Sequence, residues 1–586
     1  MPRSETRSHH TDLQLVIIGA ALALLVLLWG AAAASAGLTG TAAPPFTIVA
    51  PLAAFGHPAN PSLAWGSPVG PAWLYWSLTV LALALPVAGW LIAKQLRSAS
   101  PHVIAAGAPT GEGMAGGVEV RRAAGKARLL KQAPSLRPCL TKPAPNDLGH
   151  LLGRSRGIAC YCTVEDSIVV LGPPRSGKGL HLVIPALLDA SGAVVSTSTR
   201  PDNLTATLRT RESRGPVAVF DPQGLAPGIP SRARWSPIRG CQDPHIAMVR
   251  AKALTAGAAN GTTDSNFWQA SAELAVRALL HAAALGGCTP TDLYRWSLSA
   301  VHAREAVMIL ASNPQAAPSW HQGLDSIVTA DPRQRDSVWA MVAIAFAALA
   351  DPKVLDAVSP TGDEHLDPAA FLTSAGTIYL LGTSTGSAAT AGLVGAFLED
   401  ILETARRHAA ASPNARLDPP LSLILDEAAN YPLPSLASLM SDGGGSGIST
   451  TVVLQSLAQA RAVWGEHAAS AIWDAAIVKV ILGGGSNARD LEDLSKLIGT
   501  RSKQTTTVST GGDGRRSTST HTADVPVLDP SQLRTLPFGQ SILLLRSARP
   551  IALTMQPWTA RRDAKALQGD RERLERAIQH AHTQRL

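Results

Sequence analysis

The sequence predicts an α/β protein: a mostly parallel, doubly wound sheet carrying a P-loop, with an inserted all-α domain and two N-terminal transmembrane helices. Three observations predict this. From residue 158 onward, short apolar runs alternate with helix-compatible stretches, the pattern of repeated strand–helix units. Between 242 and 363 that alternation stops, strand signals are missing, and helical periodicity takes over. Ahead of all of it lie two long apolar runs, 13–34 and 71–93.

The two N-terminal runs are too long for a signal-peptide core, so they read as spanning helices. Residues 35–70 between them contain no Lys, Arg, Asp or Glu, whereas Arg3 and Arg7 precede the pair and Lys94 and Arg97 follow it. The positive-inside rule then puts both ends in the cytoplasm. The expectation is a multi-pass plasma-membrane protein with a membrane anchor at 1–98, its N-terminus and catalytic part cytoplasmic. A basic, flexible linker is expected over 99–148, Ser/Ala/Gly/Pro-rich at first and then carrying Arg121, Arg122, Lys126, Arg128 and Lys131. The net charge of +8 and pI near 9.4 favour polyanionic partners. Five scattered cysteines, with Cys160-Tyr161-Cys162 at the wrong spacing for a zinc knuckle, read as reduced thiols in packing roles.

The run 168–171 ends in Gly172-Pro173-Pro174-Arg175-Ser176-Gly177-Lys178-Gly179. Four residues separate the first two glycines and Lys178 follows at once, which is a P-loop between a strand and a helix. Glycines are needed because N–H groups must curl around phosphate oxygens where a Cβ would obstruct. Lys178 reaches the β- and γ-phosphates, and the helix opening at Gly179 and Leu180 presents its positive N-terminus. Residues 172–180 are thus the expected ATP-binding set. Gly179 stands where most such loops place a Ser or Thr whose hydroxyl binds Mg²⁺, so the metal must lean on other groups.

Strands are expected next at 192–196, ending in Thr197-Ser198-Thr199-Arg200-Pro201-Asp202, and at 217–220. Helices follow at 247–259, 267–284, 292–311 and 336–350, with Phe267-Trp268 read as core. The sheet resumes at 377–381 and a long helix covers 389–408. The apolar run 421–425 then ends in Asp426-Glu427, a Walker B match. Asp426 is expected to hold Mg²⁺ directly or through water, and Glu427 to polarise the attacking water. The strand at 450–454 ends in Gln455, placed to sense the γ-phosphate; with Lys178 and Glu427 it completes the catalytic set. A completing arginine is expected from a neighbouring subunit, with Arg461 and Arg489 as candidates.

Further strands are expected at 476–482, 540–545 and 551–555. Polar arms around Gly511-Gly512-Asp513-Gly514 read as a projecting hairpin or a disordered loop. The nucleotide-binding domain therefore divides into 149–242 and 364–560 around an insert at 243–363, with a charged C-terminal helix at 561–586.

Taken together these residues resemble the coupling ATPases of type IV secretion and conjugation, in their actinobacterial form. The resemblance rests on the two apolar runs, GPPRSGKG (172–179), VIPALL (183–188) and Asn266-Phe267-Trp268. It continues through LILDEAAN (423–430), VVLQSLAQAR (452–461), LEDLSKLIGTR (491–501) and LRTLPFGQSILLL (533–545). It implies a RecA-like, membrane-anchored ATPase using ATP and Mg²⁺ and assembling as a homo-hexamer. It also implies recruitment of relaxase-bound single-stranded DNA and export through a channel built with type IV secretion inner-membrane components. One departure stands out: where many members carry an Asp-Pro-Lys-Gly-Glu type turn, this chain has Ser198-Thr199-Arg200-Pro201-Asp202. Two alternatives are an FtsK-type double-stranded DNA translocase, whose usual C-terminal DNA reader the short tail has no room for, and a coupling ATPase that recruits protein substrates only.

Overall fold

The computed structural model describes residues 25–84, 111–229, 233–256, 265–382, 388–510 and 516–584. The chain separates into two compact units, Met1–Val103 and Ile104–Leu586.

In the first unit, helical stretches at 25–38 and 72–84 are joined by short helices at Ala50–Ala53 and Ser62–Trp65. The connection is packed because its aromatic residues are. Trp65 and Tyr75 are buried with Ala32, Ala50, Ala54 and Val69. The indole N–H groups of Trp29 and Trp76 donate to the carbonyls of Pro44 (2.9 Å) and Pro58 (2.8 Å), so neither ring buries an unsatisfied donor. The expected spanning helices and plasma-membrane location are corrected here: among the described residues no helix is long and apolar enough to cross a membrane. The described helical parts of the two runs reach about 20 Å at 1.5 Å per residue, against a hydrocarbon core of about 30 Å. Residues 13–24 and 85–93 of the expected spans lie outside the described residues.

The second unit is organised by an 11-stranded sheet. Its strands in chain order are β1 (Gly149–Ser155), β2 (Ile158–Thr163), β3 (Ile168–Leu171), β4 (Val194–Ser198) and β5 (Val217–Phe220). They continue with β6 (Thr377–Leu381), β7 (Leu421–Leu425), β8 (Ile448–Leu454) and β9 (Val478–Leu482). A separate two-stranded ribbon, β10 (Thr500–Thr510) and β11 (Arg516–Pro526), precedes β12 (Gln540–Leu545) and β13 (Ile551–Thr554). The spatial order is β2-β1-β13-β12-β9-β3-β8-β7-β4-β6-β5. From β9 to β5 every pairing is parallel, and from β9 to β2 every pairing is antiparallel. Buried on both faces, β3, β4, β6, β7 and β8 have every residue buried, and they carry apolar side chains with Ser and Thr and no charged residue.

Between β5 and β6 the chain is helical, with Pro244–Ala256, Ser265–Leu285, Pro290–Leu298, Arg304–Ser312, Trp320–Val328 and Pro332–Phe346 as its main helices. Trp235, Phe220 and Phe397 join this block to the sheet. Trp235 stacks on Phe397 with centroids 4.9 Å apart, and Phe220 meets the same ring edge-on at 5.1 Å. Arg250 lies over Trp235 and pairs with Asp400 at 2.6 Å, so its buried charge is compensated.

Two expectations are revised, and one that stood between two alternatives is resolved. The expected linker over 99–148 is folded from Gly117 on, in helices Gly117–Ala124, Lys126–Lys131, Ala133–Leu136 and Pro145–Leu148. Val120 packs under the sheet with Cys160 and Ile168, and Leu129 and Leu136 pack with Leu148 and Val164. The stretch expected as one helix at 292–311 breaks at residues 299–303. The polar arms expected as a hairpin or loop pair as β10 and β11 in continuous register, from Thr500 with Pro526 to Thr510 with Arg516. The C-terminal helix, Ala564–Thr583, buries Leu574 and Ile578 against Leu204, Leu208 and Tyr379. Burial pushes the thiol of Cys160 up to about 11 and that of Cys162 to about 12, as packing roles require.

Candidate functional site

The phosphate loop leaves β3 with Gly172, whose N–H donates to the Leu454 carbonyl at 3.0 Å and so ties the loop to the end of β8. Arg175 (φ 63°) and Gly177 (φ 89°) take left-handed conformations that turn the loop back over its own start. At Gly177 a Cβ would come within 2.7 Å of His181 Nδ1 and 2.9 Å of the Phe538 ring, so only glycine fits. The first turn after the loop, Gly179–Val183, is wound wide, and a regular helix, Ile184–Asp189, follows. Lys178 Nζ donates to the Gly172 carbonyl at 2.7 Å, bending back over the cradle. Burial lowers its pKa, while the carboxylates of Asp426 and Glu427 act in the opposite direction.

Two features fit this cradle to a phosphate. Ser176 Oγ is buried with no protein partner, a donor facing the loop that lacks an acceptor. At Gly179 an added Cβ would meet nothing within 4 Å, so the helix entrance is open.

The carboxylates come from the end of β7. Glu427 adopts a left-handed backbone (φ 51°), which turns the chain sharply just after Asp426. Asp426 receives a hydrogen bond from Asn203 Nδ2 at 3.0 Å, and its carbonyl accepts one from the Thr197 hydroxyl at 3.0 Å. Burial pushes the Asp426 carboxyl above the usual carboxylate range, against the pull of Asn203 and Lys178. Glu427 is held through one oxygen, Oε2, by the Thr199 hydroxyl and by Asn430 Nδ2 at 3.2 Å. Behind them the buried Tyr431 hydroxyl reaches the carbonyls of Ser198 (2.9 Å) and Gly382, pinning the turn to the ends of β4 and β6.

Strand order explains how residues remote in sequence meet. β3, β8, β7 and β4 are consecutive neighbours, and they deliver in that order Lys178, Gln455, Asp426 with Glu427, and Thr199. All lie at the carboxyl ends of parallel strands, where open α/β sheets bind ligands. Gln455 is half-buried directly after β8. Of the remaining loop residues, Pro173 packs beside Gly484, and Pro174 and Arg175 are exposed. Thr197, Thr199, Asn203 and Asn430 escaped sequence reasoning. The departing turn after β4 supplies Thr199 to Glu427, and the helix Asp202–Glu212 supplies Asn203 to Asp426. Arg461 is tied to Asp490 at 2.5 Å, which also accepts from the N–H groups of Leu457 and Ala458. Arg489 is the more exposed of the two, paired with Glu466 at 3.2 Å.

Residues 420–538 match a family described as the TraM recognition site of TraD and TraG, a span that begins just before β7 and ends at Phe538. Among solved structures, the unbound monoclinic form of the bacterial conjugative coupling protein TrwBdeltaN70 superposes with a TM-score of 0.55 at 17% identity, over 76% of this chain and 96% of that one. The plasmid coupling protein TrwB with the GTP analogue GDPNP gives 0.52 at 16%, over 74% and 93%. The same protein with the ATP analogue ADPNP gives 0.51 at 15%, over 74% and 93%. No curated protein matches the sequence. At these identities the structural likeness is one of fold. The resemblance to the coupling ATPases of type IV secretion and conjugation is therefore borne out by two findings, a family match over 420–538 and a fold shared with a conjugative coupling protein.

Proposed function

We propose that this chain hydrolyses ATP to drive DNA transfer in a conjugative or type IV secretion apparatus, working on relaxase-bound single-stranded DNA as a homo-hexamer. The observation that carries the reading is the row of strand ends that sets Lys178, Gln455 and the Asp426–Glu427 pair side by side. In this reading the loop N–H groups, Ser176 Oγ and Lys178 hold the phosphates, and Asp426, oriented by Asn203, holds Mg²⁺. Bound Mg²⁺ neutralises phosphate charge at the reacting end. Glu427, fixed by Thr199 and Asn430, accepts the proton of the attacking water, and Gln455 between the two halves reads whether the γ-phosphate is present. TrwB has been solved with ADPNP and with ADP and Mg²⁺, which supports the choice of nucleotide and metal. The basic balance of the chain supports a polyanionic cargo.

The α/β body, 149–242 with 364–560, supplies force in this account, and the helical insert 243–363 reads the substrate. Hydrolysis by the wild-type chain, its loss in Lys178→Ala, and ATP bound but uncleaved by Glu427→Gln are the expected results. Hydrolysis at the wild-type rate by either variant would refute the assignment.

A further inference from the structure

Phe538 is 64% exposed, although it lies in a turn whose neighbours Leu536 and Gln540 are buried. Single exposed apolar residues are ordinary, so it is the ring's position rather than its exposure that matters. The ring is set against the phosphate loop. It stands 2.9 Å from where a Cβ of Gly177 would be, and meets His181 edge-on with centroids 5.2 Å apart. His181 is itself fixed, since its Nδ1 lies 3.0 Å from the Gly177 carbonyl.

Strand order gives the direction in which a nucleotide must lie. The phosphate loop follows β3; Asp426 and Glu427 follow β7, two strands to one side; Phe538 precedes β12, two strands to the other. The loop's chemistry orients the phosphate chain along the same line. Lys178 takes the β- and γ-phosphates, and the metal and the attacking water belong at the Asp426–Glu427 side. The α-phosphate and its nucleoside are therefore directed away from the carboxylates, towards β9 and β12. On that side the turn after β9 is Gly483-Gly484-Gly485, whose missing side chains let the Leu536 carbonyl and Pro173 pack directly on its backbone. An exposed aromatic ring beside the phosphate loop, on the side to which the nucleoside is directed, is the central part of a stacking site for a flat heterocycle.

We infer that Phe538 is the base-stacking residue of the nucleotide site, its ring covering the purine of a nucleoside triphosphate whose phosphates occupy the loop 172–179. This rests on the nucleotide reading of that loop. It adds a binding determinant from a strand connection outside both the phosphate loop and the carboxylate pair.

The test compares ATP with inorganic tripolyphosphate, both with Mg²⁺, by calorimetric titration of the full chain. The variants are Phe538→Ala, Phe538→Leu, Phe538→Trp and Lys178→Ala. Loss of aromatic stacking weakens ATP binding by about 5- to 150-fold in Phe538→Ala and Phe538→Leu, and leaves tripolyphosphate affinity unchanged. Phe538→Trp keeps ATP affinity at or above wild type. Phe538→Leu retains apolar bulk against His181, so it carries the test if the alanine variant folds poorly. Equal loss for ATP and tripolyphosphate would overturn the inference, because the ring would then be supporting the loop at Gly177. Unchanged ATP binding in Phe538→Leu would overturn it as well. Lys178→Ala separates the two claims: if it leaves both ligands bound as tightly as wild type, the nucleotide reading itself fails.

Discussion

Replacing Thr199 by Val removes one hydroxyl and little else, and it isolates what positions Glu427. Thr199 stands just after β4, and β4 pairs in parallel with β7, so the hydroxyl reaches Glu427 Oε2 across one strand spacing. The other donor to that oxygen, Asn430 Nδ2, comes from the turn after Glu427 itself and lies at 3.2 Å. A hydrogen bond to a charged group contributes about 1.5–3 kcal/mol. If that energy serves to hold the carboxylate in its reactive position, its loss lowers kcat by about 10- to 150-fold. Thr199 is assigned no contact with the nucleotide, so KM for ATP stays at its wild-type value. Steady-state hydrolysis with Thr199→Ser alongside checks this, since serine keeps the hydroxyl and restores most of the rate. A kcat within about twofold of wild type in Thr199→Val would refute the positioning role.

Three further outcomes follow from the same geometry. Asn203→Leu removes the donor to Asp426, and loss of a group that orients a metal ligand costs about 10- to 100-fold in metal affinity, read as the Mg²⁺ concentration needed for half-maximal hydrolysis. Glu399 is buried and accepts from the Ser435 N–H at 3.1 Å, and burial raises its pKa above the ordinary glutamate value. A carboxyl with a raised folded-state pKa contributes stability that is present below its unfolded pKa and lost as pH rises through the folded one. Glu399→Gln, which cannot ionise, therefore gains in melting temperature relative to wild type as pH rises above about 4.5; a pH-independent difference would contradict the assignment. If the insert reads substrate, Arg304→Glu and Arg333→Glu, both exposed, keep basal hydrolysis while losing DNA or relaxase binding. Glu305 has to be left intact in that scan, because it accepts from Trp296 Nε1 at 3.0 Å and pairs with Arg295 at 2.5 Å.

The strands that build the site were legible because each is buried on both faces and ends in a residue type with its own chemistry. Leu421–Leu425 running into Asp426-Glu427 needs no tertiary information to be recognised. β1 was missed for the opposite reason. Gly149 and Gly153 interrupt any apolar run there, and they are present because neighbouring backbone lies too close for a side chain: a Cβ at Gly149 would fall 1.8 Å from the Cys162 carbonyl oxygen. Residues 117–131 were hidden by their charges, since Val120 and Leu129 form the buried face of short basic helices. Thr199 and Asn203 were invisible because their importance lies in strand order, and β4 beside β7 is not a neighbourhood the chain sequence spells out. The N-terminal runs misled in another way: their apolar residues serve in part to bury Trp65 and Tyr75 in a small packed unit.

The most direct test of the central claim is ATP hydrolysis by the full chain, wild type against Glu427→Gln, with nucleotide binding measured on the same samples and single-stranded DNA added in parallel. Wild-type hydrolysis is expected to rise with DNA, and Glu427→Gln to be slower by about a hundredfold or more with ATP still bound. Hydrolysis by Glu427→Gln at the wild-type rate would contradict that claim.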